Sequence, residues 1–251
     1  MITAAIALLI GIQGSQQASG DQAKLSPSQI LSKMFAHYAE AKSAVGTIKM
    51  TQTAVNTSVH ITTDLQFERP SLIFLRQVRD GSLPHQWYLT SDGKEFSYDH
   101  PSNRDPGLYG KRRMVEYVTQ HSQSLTVSDF LNAATYSLGD MNPMIISAIG
   151  SKEALKKLIG QWATLNYEGR ITVDGQIAQR IVGQYRETSI GPIAGQFEAD
   201  ISETGDFMKY VLRQRMMFPK LDKEAIEVTT TWESSLKVDA TTDKALYKVV
   251  Q

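Results

Sequence analysis

The sequence predicts an α+β protein built on one large, curved antiparallel sheet with helices inserted in mid-chain. Three observations carry this. Residues 62–101 hold four short strand patterns in series, the second half of the chain holds hairpin signals at Asp174-Gly175 and Thr204-Gly205, and the stretch between them turns helical. About ten strands are expected, and a sheet of that size curls or closes.

In chain order, Ile2–Ile12 is an apolar run of signal-peptide length, too short to span a bilayer. Ala18 and Gly20 suit the −3 and −1 positions of a cleavage before Asp21, although no Lys or Arg precedes the run. Residues 1–20 are therefore expected to be a signal peptide and 21–251 a single domain. Ser26 or Ser28 caps a helix with Pro27 in its first turn. Ile30, Leu31, Met34, Phe35, Tyr38 and Ala41 recur at spacings of three and four, which makes the helix amphipathic. Val45–Val55 and Thr57–Glu68 form a hairpin turning near Asn56. The sequon Asn56-Thr57-Ser58 is read as part of that turn.

Thr62–Glu68 alternates with a period of two, placing Leu65 and Phe67 on one face. Arg69-Pro70 interrupts it, because proline lacks a ladder donor. Arg69 shares the face of Leu65 and Phe67 if the strand stays regular through it, and an arginine there must be hydrogen-bonded, paired or snorkelled to solvent. Leu72–Val78 and Gln86–Ser91 follow as strands. Asp92-Gly93 predicts a type I′ turn, and Phe96 and Tyr98 give the next strand its apolar face. Met114–Thr119 is a short strand. Helices are expected over Thr126–Leu138, after Asn142-Pro143 and from Ser151 to Leu158. Strand signals return from Thr164, through the two hairpins, to Ile226–Leu236.

Lys+Arg and Asp+Glu both number 26, a balance that argues against a general nucleic-acid binder. The basic run Lys111-Arg112-Arg113 reads as a solvated loop. With no cysteine there is no disulfide, no thiolate metal site and no lipobox. His37, His60, His85, His100 and His121 are scattered without ligand spacing, and no nucleophile elbow or phosphate-binding loop occurs. No catalytic activity, metal or cofactor is implied. Nothing after the N-terminal run is long and apolar enough to cross a membrane as a helix.

The order Phe67-Glu68-Arg69-Pro70, an extended strand, Ser91-Asp92-Gly93-Lys94 and an aromatic strand closing at Tyr98-Asp99-His100-Pro101 resembles the LolA-like family of periplasmic lipoprotein carriers and sorting-protein homologues. The motif match spans residues 26–101. VDATTDKALYKV resembles the family's final strand, while the family's F-x-F-x-P-P is absent. The resemblance implies an unclosed half β-barrel lidded by helices, with an apolar cavity between them. It implies a periplasmic, monomeric carrier of lipoprotein acyl chains or lipid, served by an inner-membrane loading partner and an outer-membrane acceptor. Leu65, Phe67, Ile73, Leu75, Trp87, Leu89, Phe96 and Tyr98 would line the cavity, and Arg69 would latch the lid. Periodicity alone fits a filled core equally well. The same fold also serves envelope regulators that bind a partner protein, which is the alternative function.

Overall fold

Strand order fixes where the helices lie. The computed structural model describes residues 25–80, 85–99, 113–117, 125–131, 143–151, 153–186, 195–216 and 225–249. The N-terminal run, His100, Pro101, His121 and residues 111–112 fall outside these. The first meander is β1 (Ser43–Ala54), β2 (Thr57–Glu68), β3 (Leu72–Asp80), β4 (His85–Asp92), β5 (Glu95–Asp99) and β6 (Arg113–Tyr117). The second is β7 (Trp162–Val173), β8 (Gln176–Tyr185), β9 (Gly195–Ser202), β10 (Phe207–Met216) and β11 (Ile226–Ser234). Every pairing is antiparallel. The sheet order is β6-β5-β4-β3-β2-β1-β11-β10-β9-β8-β7, with the two-residue β12 (Lys237–Val238) beside β1.

β6 and β7 are thus opposite edges of an unclosed sheet, and the chain must cross the sheet to pass between them. That crossing carries α2, described over residues 127–131, α3 (Pro143–Gly150) and α4 (Ala154–Gly160). Their apolar residues join those of α1 (Pro27–Glu40) and one face of the sheet in one buried cluster. The α1 cap is Ser26: its Oγ accepts from Gln29 N at 3.3 Å, and Gln29 Oε1 accepts from Ser26 N at 2.7 Å. The helix buries Ile30, Leu31, Met34, Phe35 and Tyr38, as its periodicity predicts.

Two local expectations change. Gly93 has φ +88° but Asp92 stays extended, so the β4–β5 turn is not type I′. Instead Asp92 Oδ1 accepts from Lys94 N at 2.8 Å and Glu95 N at 2.9 Å, a side-chain mimic of a turn. Asp174 and Gly175, at φ 48° and 78°, do form the two-residue loop that I′ geometry requires. The last segment is not one strand: after β12 it runs over the outer face of β2–β4 and ends in the 3₁₀ helix Lys244–Tyr247. Gln66 Nε2 donates to Asp243 O at 2.6 Å and Asp243 N donates to Gln66 Oε1 at 3.1 Å, holding that strap in place.

The strap turns off β11 over Gly46, where an added Cβ would lie 2.5 Å from Ser235 O and 2.6 Å from Leu236 Cα. Gly46→Ala is expected to lower stability by about 1–3 kcal/mol in urea unfolding. Gly160→Ala, with nothing within 4 Å of its Cβ, should stay within about 0.5 kcal/mol of the parent.

Candidate functional site

The concave face is laid out in rungs by the strand register. Phe67 opposes Ile73, and Leu65 opposes Leu75, which opposes Leu89. Ser91 opposes Phe96, and Leu89 opposes Tyr98 across β4–β5. Leu65, Phe67, Ile73, Leu75, Trp87, Leu89 and Phe96 are all 7% exposed or less and belong to the cluster that includes the helices. The Tyr98 side chain lies outside the described residues. Phe96 meets Phe130 of α2 with ring centroids 5.2 Å apart. Each such side chain contributes about 2 kcal/mol relative to exposure. Lifting the helices without another apolar surface to take their place is therefore strongly unfavourable.

Arg69 sits at the seam where three helix ends converge. Its Nε donates to Ala41 O at 2.9 Å and its Nη2 to Ile149 O at 2.6 Å and Tyr38 O at 3.4 Å. Its Nη1 reaches Ser128 Oγ at 3.5 Å, and Ser128 Oγ donates onward to Gly150 O at 3.1 Å. These carbonyls close α1 and α3, where backbone acceptors lack intrahelical donors and the helix dipole is negative. A guanidinium answers both conditions. The fork lies 5.5 Å from the Phe67 ring, on the side the alternation predicts. Burial pushes its pKa down from the ordinary value, and it remains charged at neutral pH. Among the described residues its partners are carbonyls and a hydroxyl, with no carboxylate. The backbone repeats the tie: Arg69 N donates to Lys42 O, and Val127 N to Pro70 O, both at 2.8 Å.

α1 has a second anchor, at the β9–β10 turn. Phe207 N donates to Tyr38 Oη at 3.0 Å, His37 Nε2 lies 3.0 Å from Asp206 Oδ1, and Lys33 reaches Glu203 O. Burial alone would raise the Asp206 carboxyl, but bonds from Thr204, His37 and Ser202 outweigh it and hold its pKa below the usual carboxylate range. Burial raises the Tyr38 hydroxyl well above its ordinary value, so it stays neutral. No sequence signal pairs His37 with Asp206, or Arg69 with Ile149, since each partnership spans a large stretch of chain.

A cleft of about 480 Å³ opens beside the latch, between Glu40, Lys42, Glu68, Arg69 and the strap residues Thr242 and Lys244. No group of three or more potential metal ligands occurs among the described residues. No described helix is long and apolar enough to cross a membrane.

An unclosed antiparallel sheet with helices on one face is the architecture that the resemblance to the LolA-like family leads one to expect. No family model and no curated protein matches the chain. Among solved structures it is similar to the lipoprotein LppX of Mycobacterium tuberculosis, at 11% identity and TM-score 0.45, over 86% of this chain and 97% of that one. It is similar to the Pseudomonas aeruginosa MucA/MucB complex at 10% identity and TM-score 0.44, over 89% of this chain and 61% of that one, under two thirds of its length. A LolA superfamily protein from Nitrosomonas europaea aligns over 90% of this chain and 99% of its own, at 9% identity and TM-score 0.30.

Arg69→Leu is expected to cost roughly 2–4 kcal/mol, because it leaves helix-end carbonyls without donors. Hydrogen exchange should show lost protection in α3 and at the start of α2, with β2 and β3 still protected. Equal loss in the strands would mean that Arg69 is not a local latch.

The acid limb of stability should depend on Asp206. Its folded pKa is depressed, so its contribution is complete above the unfolded value of about 3.9 and is lost as pH falls through the folded value. Asp206→Asn should lower stability at pH 7 by about 1 kcal/mol, allowing for its partial exposure. In denaturant curves the gap from the parent should narrow as pH falls below the unfolded value of about 3.9.

Proposed function

We propose that this protein is a non-catalytic carrier of the bacterial periplasm. It would hold the acyl chains of a lipoprotein or lipid between the concave sheet face and its helices. The observation that carries this is the Arg69 tie: one guanidinium joins three helix ends over an apolar face, through carbonyls and a hydroxyl among the described residues. The motif order around Arg69-Pro70 and Ser91-Asp92-Gly93-Lys94 supports the same reading. On it, α1 is a wall tied to Asp206 and to the Phe207 amide, and opening would part α2 and α3 from Arg69.

The energetics permit exchange. Burying about a dozen methylenes yields on the order of 10 kcal/mol, more than the few kcal/mol of latch bonds that opening breaks. The entering chain would replace the contacts that Leu65, Phe67, Ile73, Leu75, Trp87, Leu89 and Phe96 give up. Loading from an inner-membrane partner and delivery to an outer-membrane acceptor complete the proposal, with the carrier working as a monomer.

The test is titration with a fluorescent acyl probe, alongside native mass spectrometry of protein taken from its own envelope. The parent should bind the probe. Arg69→Leu should bind about 10-fold tighter or more, because removing the latch raises the fraction of open, competent protein. Arg69→Lys, which keeps the charge but not the fork, should fall between them. If no form binds the probe and the native mass is that of the bare chain, the concave face is a filled core. The partner-binding regulatory module then becomes the working function.

A further inference from the structure

The concave face is not apolar throughout. Thr63 opposes Gln77 across β2–β3, and Gln77 opposes Trp87 across β3–β4. This polar rung lies immediately beyond the Leu65–Leu75–Leu89 rung on the side away from Arg69. All three side chains are 3% exposed or less. Gln77 Nε2 donates to Thr63 Oγ1 at 3.2 Å, while the indole Nε1 of Trp87 has no acceptor among the described residues. Among the described residues the other buried side-chain polar atoms without partners are Trp162 Nε1 and Tyr247 Oη. Trp162 belongs to the other half of the sheet, packed on Phe197 with centroids 5.0 Å apart, and Tyr247 belongs to the strap on the opposite face. A buried donor left open is rare in folded proteins and calls for an acceptor. One rung further on, the register puts Arg79 opposite Ile61, half-buried and without an ion pair among the described residues.

Polarity therefore changes in steps along one face. From the latch outward come Phe67–Ile73, then Leu65–Leu75–Leu89, then the Trp87 donor, then the Arg79 cation. The distance from Phe67 to Thr63 is about 14 Å at strand rise. That order matches an amphiphile laid along the strands with its tail toward Arg69. An indole N–H only donates, so the group it meets must be an acceptor. The rung itself holds no cation, and an ionised group there would be costly, which favours a neutral ester or amide carbonyl. Arg79 stands where a charged head would follow.

We propose that Thr63, Gln77, Trp87 and Arg79 form a subsite for the polar end of an anionic acyl lipid, with Trp87 Nε1 donating to the acyl carbonyl oxygen and Arg79 facing the anionic head. This rests on the carrier reading above and adds the class of cargo to it.

The experiment is displacement of a bound acyl probe by hexadecane, by monoacylglycerol and by monoacyl phosphatidylglycerol. These supply a tail alone, a tail with a neutral ester, and both with an anionic phosphate. The parent should prefer them in rising order. Trp87→Phe should weaken both ester ligands about 10-fold more than it weakens hexadecane. Arg79→Gln should weaken only the phosphate ligand. Equal affinity of parent and Trp87→Phe for monoacylglycerol overturns the carbonyl assignment while leaving the carrier function standing. Equal affinity of parent and Arg79→Gln for the phosphate ligand overturns the head-group assignment. Failure of the parent to bind any of the three overturns the carrier reading together with the subsite.

A second readout needs no change at position 87. The chain has three tryptophans, and Trp162→Phe and Trp232→Phe assign their indole N–H resonances. Monoacylglycerol should move the Trp87 signal downfield and hexadecane should not. A Trp87 signal unmoved by bound ester also overturns the carbonyl assignment.

Discussion

The arrangement turns on one half-buried guanidinium. A helix ends with carbonyls that have no donors, and α1 and α3 end close to each other over an apolar sheet face. Water would satisfy those carbonyls if the seam were open. With the seam closed, the donors must come from the protein, and Arg69 supplies them to Tyr38, Ala41 and Ile149. Five fixed N–H donors on a planar fork suit several acceptors at once, which an ammonium on a flexible stem does not. Among the described residues its partners are dipoles and not a carboxylate, so the tie is not a buried ion pair.

Topology brings these helix ends together. β1 lies inside the sheet between β2 and β11, so the two meanders grow outward from it and end at β6 and β7. The link between those edges has to cross the sheet, and its apolar residues can be buried only on the concave side. The unclosed edge at β7 is kept from apolar pairing by its exposed polar side chains, among them Asn166, Glu168 and Arg170. The strap after β12 covers the convex face of β2–β4. It ties to Glu68 through Thr242 and Lys244, just before Arg69, so both faces of the sheet are fastened at the same corner. The Lys244 and Thr242 bonds hold the Glu68 carboxyl below its ordinary range.

Two buried polar groupings have different physical meanings. On the convex face Asp200 is closed off by Arg180, with Nε–Oδ1 2.7 Å and Nη2–Oδ2 2.9 Å, and Glu198 and Arg213 extend the cluster. The Asp200 bond raises the Arg180 guanidinium. Every charge there has its partner, so the cluster is structural. On the concave face the Trp87 donor is open in the midst of apolar residues. A buried donor without an acceptor is costly, whereas the paired charges of the convex cluster are not.

Local chemistry wrote the elements into the sequence. The spacing of Ile30, Leu31, Met34, Phe35 and Tyr38 set α1 and its buried face. The alternation through Leu65 and Phe67 set the side on which Arg69 emerges, and Asp174-Gly175 set a hairpin. These are legible because helix and strand periods and turn dihedrals depend on neighbouring residues. Asp92-Gly93 misled as to turn type because an Asp side chain can replace a backbone turn, a choice settled by the strands it joins. The final segment misled because its pattern suits a strand, whereas its fate depended on Gln66 and Glu68 waiting on the convex face. Tertiary structure alone decided that β1 pairs with β11, that Arg69 meets Ile149 and Ser128, that His37 meets Asp206, and that Gln77 takes the Thr63 hydroxyl while Trp87 goes without. Such partnerships arise when distant segments are brought together by burial of apolar surface, a force without direction. It determines what lies inside and leaves to the assembled geometry which polar groups find one another.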